Sequence, residues 1–200
     1  MVAADLITSP DEEAPLHGLL GCQILCNFAV TFNYRDQQLT LGQGSLPNHI
    51  GEDVATPFSL LGGGQGAITG VSGIVHIPKS RVVVKATVEG VEHSFMVDTG
   101  ASITLLRSAL LDDLAKDGRA VMGGLQSQIV GGTTSISVAR LKSVSIGGEE
   151  VKGLIASEDE TFEKALDEVS LEIGQKLDGL IGGSYLRNFY VTIDYPNTTF

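Results

Sequence analysis

One stretch of this chain occurs twice. Residues 17 to 36 read HGLLGCQILCNFAVTFNYRD, and residues 178 to 197 read DGLIGGSYLRNFYVTIDYPN. Gly18, Leu19, Gly21, Leu25, Asn27, Phe28, Val30, Thr31 and Tyr34 recur as Gly179, Leu180, Gly182, Leu186, Asn188, Phe189, Val191, Thr192 and Tyr195. Upstream, Leu6-Ile7-Thr8-Ser9 answers Leu154-Ile155-Ala156-Ser157. Self-similarity of this kind means one structural piece built twice, and it constrains the fold more than any local propensity does. The first copy opens in mid-unit. The second stops at Phe200, which matches Leu39 inside the strand that the first copy completes as Gln38-Leu39-Thr40-Leu41. The expectation is a parent of two tandem units: residues 1–45 are the C-terminal half of the first, 46–70 a Gly-rich linker, and 71–200 nearly all of the second.

The copies differ by an insertion between Ser157 and Asp178. There Phe162, Ala165, Leu166 and Val169 follow helical spacing, and Ser157 with Glu160 fits a capping box, so a short amphipathic helix is predicted. It serves either as a surface element packed on the sheet or as a lid over a cleft. The linker contains Gly62-Gly63-Gly64-Gln65-Gly66. A phosphate-cradling loop would need a helix after it, whereas the next residues, Ala67-Ile68-Thr69-Gly70-Val71, have the character of a strand. A flexible inter-unit connection is the expected role.

Twenty-five glycines, no Trp and 42% hydrophobic residues describe a chain that buries a core through short strands and tight turns. Val82, Val83, Val84, Ala86 and Val88 mark a strand, Glu89-Gly90 a hairpin turn, and His93 to Val97 its return. Ile103, Leu105 and Leu106 suggest another strand, with a helical turn from Ser108 to Leu114. Ser127 to Val130 and Ser135 to Val138 flank a glycine-tipped hairpin. Strands are then expected from Ala139 to Ile146, from Val151 to Ala156 and from Tyr190, with a short helix ending near Asn188. The whole is an all-β fold, a small closed β-barrel with one or two short helices.

The formal charge of −11, with no window of clustered Lys and Arg, argues against nucleic acid as a partner. The longest apolar stretch, Leu19 to Phe32, is interrupted by Gln23 and Asn27 and is too short to span a bilayer, so a soluble chain is expected. Cys22 and Cys26 lie four apart, poorly placed to bridge and without ligand-spaced His or Cys; they are expected to act as small hydrophobes. His49, His76 and His93 stand singly, with no carboxylate or Cys at metal-ligand spacing.

Asp98-Thr99-Gly100-Ala101 comes directly after the predicted strand ending at Val97. Alone, such a tripeptide is as readily an Asp capping a turn beside a permissive glycine. Its setting sharpens it: the glycine-tipped hairpin Ile129-Val130-Gly131-Gly132 trails it, and Leu180-Ile181-Gly182 leads into a short helix some eighty residues later. With these marks, residues from about Ile74 to Phe200 resemble the retropepsin-type aspartic peptidases.

The resemblance implies an endopeptidase that needs no cofactor or metal and acts on a peptide or protein substrate. Two facing aspartates share one proton there, because like charges so close cannot both ionise. Asp98 supplies one of them. Thr99, Gly100 and Ala101 would form and support the catalytic turn, with Thr99 bonding across to its counterpart. Val130, Gly131 and Gly132 would form a flap that binds extended peptide, and Leu180, Ile181 and Gly182 would pack beneath the turn. The second carboxylate would come either from the first unit of the same parent chain, which the repeat favours, or from a homodimer partner. A different outcome is a catalytically silent barrel used in dimerisation or peptide binding, because the first copy has diverged, with His17, Cys22 and Cys26 where the second has Asp178, Gly183 and Arg187.

Overall fold

The computed structural model describes residues 20–42, 54–66, 75–129 and 132–200. Its centre is the valine-rich hairpin of β6 (Arg81–Val88) and β7 (Val91–Val97). Side chains alternate between sheet faces, so Val82, Val84, Ala86 and Val88 enter the main core with Phe95, while Val83 enters a second cluster on the other face. Burial on both faces explains the nearly unbroken apolar run. Glu89 and Gly90 close the hairpin with φ of 48° and 88°, the left-handed pair that a two-residue turn requires.

Around this hairpin lie β3 (Ser59–Leu61), β8 (Thr104–Leu106), β9 (Val121–Ile129), β10 (Gly132–Arg140), β11 (Ser143–Ile146), β12 (Glu149–Lys152), β13 (Ile155–Glu158) and β14 (Gly179–Ile181). Among the described residues they form a ten-stranded sheet in the order β12-β11-β6-β7-β14-β8-β13-β10-β9, with β3 also on β6. The mostly-β fold expected from the sequence is thereby met, with few helices. A separate pair joins β4 (Gly64–Gly66) to β5 (Val75–Ile77).

Two of the expected strands are interrupted. The strand expected over Ala139–Ile146 breaks after Arg140, and the one over Val151–Ala156 breaks at Gly153, which adopts φ of 68°. At this double corner Leu141 N–H donates to Leu154 C=O at 2.7 Å, and both leucines are buried; core packing overrides strand continuity. Within the Gly-rich segment, Leu60 and Leu61 pair with Val82 and Arg81, and Thr56 and Phe58 bond to the backbone of Phe200 and Thr198. Its buried Phe58 supplies the apolar contact. Residues 67–71, read as a strand, lie outside the described residues.

Two helices bracket the sheet, α2 (Ser108–Ala115) and the inserted α3 (Glu160–Ile173). The cap of α3 is Asp159, whose side chain accepts from Phe162 N at 2.7 Å, and not Ser157. Ser157 is held in β13 opposite Val138, so the helix begins only after that strand ends. Leu166, with Phe162, Val169 and Ile173, packs on Val83 and Leu177. Arg107 clamps the helix: its guanidinium donates to Leu177 C=O at 2.6 Å, Asp167 at 2.7 Å and Glu163 at 3.0 Å. Removing it strips Leu177 C=O and one oxygen of the half-buried Glu163 of a donor, while the exposed Asp167 meets water, so Arg107→Ala is expected to cost about 1–3 kcal/mol. Hydrogen exchange over residues 160–173 should accelerate first.

A second ion-pair network fastens the β6–β7 turn. Arg119 donates through both terminal nitrogens to Glu89, at 2.6 Å for Nη2, and both side chains are nearly buried. Those bonds, with the Lys142 N–H, hold the Glu89 carboxyl below the usual range. A depressed carboxyl stabilises the fold above its unfolded pKa and ceases to do so as pH falls through its folded one. Glu89→Gln should therefore cost about 2 kcal/mol at neutral pH and progressively less below about pH 4. Urea denaturation at several pH values checks this.

The repeat is resolved as a third sheet. β1 (Ala29–Asn33) lies between β2 (Gln38–Gly42) and β15 (Tyr190–Asp194), antiparallel to both. The register pairs Val30 with Ile193, Thr31 with Thr192 and Phe32 with Val191, and the two threonine hydroxyls are 2.8 Å apart. Thr31 and Thr192 are matched positions of the repeat. A local two-fold axis therefore passes between them. The preceding helices also correspond, α1 (Cys22–Leu25) with α4 (Gly183–Leu186). Cys22 and Cys26 are free and half-buried, and burial pushes the Cys22 thiol up to about 11.

Candidate active site

Asp98 begins the turn after β7, where β14 wedges between β7 and β8. β14 runs parallel to β7, with Ile181 opposite Val97, and antiparallel to β8, with Gly179 opposite Leu106. Two connections therefore meet at its end: the turn 98–103 and the entry to α4. Asp98 N–H donates to Ile181 C=O at 3.0 Å, Ala101 N–H to Asp98 C=O at 3.3 Å, and Gly183 N–H to Ala101 C=O at 2.7 Å. One carboxylate oxygen of Asp98 accepts from Gly100 N–H at 2.8 Å. Asp98 and Ala101 are half-buried, whereas Thr99 and Gly100 are exposed.

Leu180, Ile181 and Gly182 are buried beneath this turn. A Cβ on Gly182 would collide with the backbone of Ile103, so glycine is needed there for space and not for its dihedral freedom. The layer below has no counterpart among the sequence expectations. Thr104, fully buried, accepts at its hydroxyl from Gly182 N–H at 3.3 Å and from the Ser184 hydroxyl at 3.1 Å, while Thr104 N–H donates to Ser184 Oγ at 2.9 Å. This hydroxyl pair locks β8 to α4, and nothing in the local pattern announces it.

Asp178 likewise carries no sequence signal. Its carboxylate accepts from Ser94 N–H at 3.1 Å and lies 3.6 Å from His93 Nδ1, so the histidine that stands alone in the sequence has a carboxylate in space. Gly132 sits at the start of β10 with φ of 155°, opposite Ile129. Val130 and Gly131, the tip of that hairpin, lie outside the described residues, as do His17 and His49. The hairpin is longer than the sequence suggests, and its β9 strand exposes Val121, Met122 and Leu125. Its β10 strand brings Thr134 within 3.5 Å of Thr161 on α3. Among the described residues, no group of three or more His, Cys, Asp or Glu is placed to hold a metal, and no helix is long and apolar enough to cross a membrane.

The sequence profile described as "Aspartyl protease" matches residues 84–185, more than half of the chain. The chain belongs to the aspartyl protease family. The match takes in the Asp98 turn, the long hairpin, α3 and β14 of this family member. Among solved structures, a retropepsin-like aspartic protease from Rickettsia conorii is 25% identical over 56% of this chain and 82% of its own, with a TM-score of 0.39. The EIAV protease, solved with the inhibitor HBY-793, is 16% identical over 55% of this chain and 88% of its own, at a TM-score of 0.40. The retroviral protease-like domain of Ddi1 from Leishmania major is 19% identical over 54% and 76%, at 0.35. No curated protein matches the chain.

Proposed function

We propose that this family member is an aspartic endopeptidase in which Asp98 is one half of a catalytic dyad. The observation that carries the reading is the Asp98 turn itself: a carboxylate at a strand end, one oxygen held by Gly100 N–H and the other with no hydrogen-bond partner among the described residues, on a base braced by β14. A lone carboxylate is a weak base near neutral pH. Paired with a second, it keeps one proton between the two. The ionised member takes a proton from water, the oxygen of that water attacks the peptide carbon, and the protonated member donates to the carbonyl oxygen. The resulting diol collapses as the amide nitrogen takes a proton and leaves. Exposed Thr99 would bond across to its counterpart, and the Val130-Gly131-Gly132 tip would close over an extended substrate.

The second carboxylate comes, in this reading, from a unit to which residues 1–45 belong. Its support is the symmetric β1–β15 register: the strand edge through which two copies of such a unit would pair is already occupied by the matching strand of the same chain. A homodimer is the other source. Cleavage of a peptide library by the full-length protein, at acidic and near-neutral pH, tests the function. Cleavage lost in Asp98→Asn supports it, and cleavage that survives the substitution overturns the assignment. A folded wild type that cleaves nothing would leave the silent peptide-binding or dimerising barrel. Activity proportional to the first power of protein concentration supports the intrachain dyad, and a second-power dependence supports two chains.

A further inference from the structure

The two copies of the repeat match beyond their first strands. Asn33 pairs with Gln38 as the matched Asp194 pairs with Thr199, and each turn holds a matched residue in the left-handed region, Gln37 with φ of 55° and Thr198 with φ of 51°. Asp194 and Thr199 exchange both backbone bonds, at 2.8 and 3.1 Å, so the backbone polar groups of Asp194 face away from β1. Bonding direction alternates along an antiparallel strand. Ile193 and Val191 therefore face Val30 and Phe32, which leaves Thr31 and Asn33 to face Thr40 and Gln38 on β2. The backbone N–H and C=O of Leu39 and Leu41 then point outward from the sheet.

In the second copy that outward edge is occupied. Phe200, the match of Leu39, donates to Thr56 C=O at 2.7 Å and accepts from Thr56 N–H at 2.9 Å, and Phe58 N–H donates to Thr198 C=O at 3.0 Å. Pro57 stands between them opposite Thr199, where the ladder calls for no N–H. Phe58 is buried, and its ring meets Tyr195 edge-on with centroids 6.1 Å apart. In the first copy, β2 is the last strand of its sheet among the described residues, and Leu39 and Leu41 are 49% and 42% exposed. Unpaired N–H and C=O groups beside apolar side chains make such an edge a template for another strand. The matched edge, filled by Thr56–Phe58, shows what kind of strand fits.

We propose that the outer edge of β2 is a docking site for an extended, uncharged peptide segment of a partner protein. One residue of the segment exchanges both backbone bonds with Leu39; an aromatic residue two positions on donates to Gln37 C=O and lays its ring against Tyr34, the match of Tyr195. Docking here does not depend on cleavage at Asp98. The probe is the acetylated and amidated peptide VATPFSLL, the sequence of residues 54–61, added to the nitrogen-15-labelled full chain carrying Asp98→Asn so that it is not consumed. Amide shifts should move over residues 37–41, and hydrogen exchange at Leu39 N–H should slow at least about tenfold at saturation. Methylating the peptide's Thr56 nitrogen removes the donor to Leu39 C=O, and Phe58→Ala in the peptide removes the ring; each should weaken binding about tenfold. Leu39→Pro in the chain removes the outward N–H while sparing the place opposite Phe32, and should weaken binding as much. If that variant unfolds, the two altered peptides decide. No shift at millimolar probe, shifts confined to residues 54–58 and 198–200, or undiminished binding of the altered peptides overturns the site. Protection of Leu39 that arises without peptide and grows with protein concentration assigns the edge to a second copy of this chain and overturns the partner segment.

Discussion

Asp98→Asn is expected to abolish peptide cleavage, lowering kcat/KM by about 10³-fold or more, with the fold intact. The two side chains have the same shape, and the amide oxygen of Asn can still accept from Gly100 N–H, which now donates to Asp98 at 2.8 Å. The backbone bonds to Ile181 and Ala101 do not involve the side chain. Stability should therefore stay within about 0.5 kcal/mol of the wild type. What is lost is the capacity to take and return a proton, and with it the shared-proton dyad. Asp98→Ala is a poorer control, because it also strips Gly100 N–H of its acceptor. Steady-state kinetics beside thermal denaturation separates the two effects.

Gly182→Ala should have the largest effect on the fold. A Cβ there would meet the carbonyl oxygen of Ile103, the Ile103 carbonyl carbon at 2.7 Å and the Ala101 oxygen at 3.0 Å. All three are backbone atoms of the Asp98 turn, and none can swing aside as a side-chain tip could. The turn must shift or β14 must leave its place between β7 and β8. Overpacking of this kind costs about 3 kcal/mol. The urea midpoint should fall with the m-value unchanged, and cleavage should fall with it, because the displaced residues hold Asp98. Gly179 is similarly crowded, with Phe95 Cε1 at 2.5 Å and the Leu105 oxygen nearer still, so Gly179→Ala gives an independent check.

Much of the site is legible in the residues. The β6–β7 hairpin follows from alternating valines and a Glu-Gly turn, and Asp98 falls at the strand end because that pattern stops at Val97. The recurrence of Gly18, Leu19 and Gly21 as Gly179, Leu180 and Gly182 marks the piece that lies under the Asp98 turn. Signals of this kind survive because the residues that carry them are near neighbours in sequence, and period and turn chemistry act locally.

Other features depend on residues that only folding brings together. The cap of α3 moves from Ser157 to Asp159 because β13 claims Ser157 for its pairing with Val138. The strands over Ala139–Ile146 and Val151–Ala156 break because Leu141 and Leu154 are drawn into one core. The Thr104–Ser184 hydroxyl pair joins positions 80 residues apart, and the lone His93 meets Asp178 from a distant part of the chain. The sequence by itself determined a repeated unit with a carboxylate turn at the end of a β-hairpin. Only the tertiary structure decided that the repeat's two strands meet in matched register about Thr31 and Thr192, because pairing across a two-fold is a contact between distant segments on which no local periodicity bears.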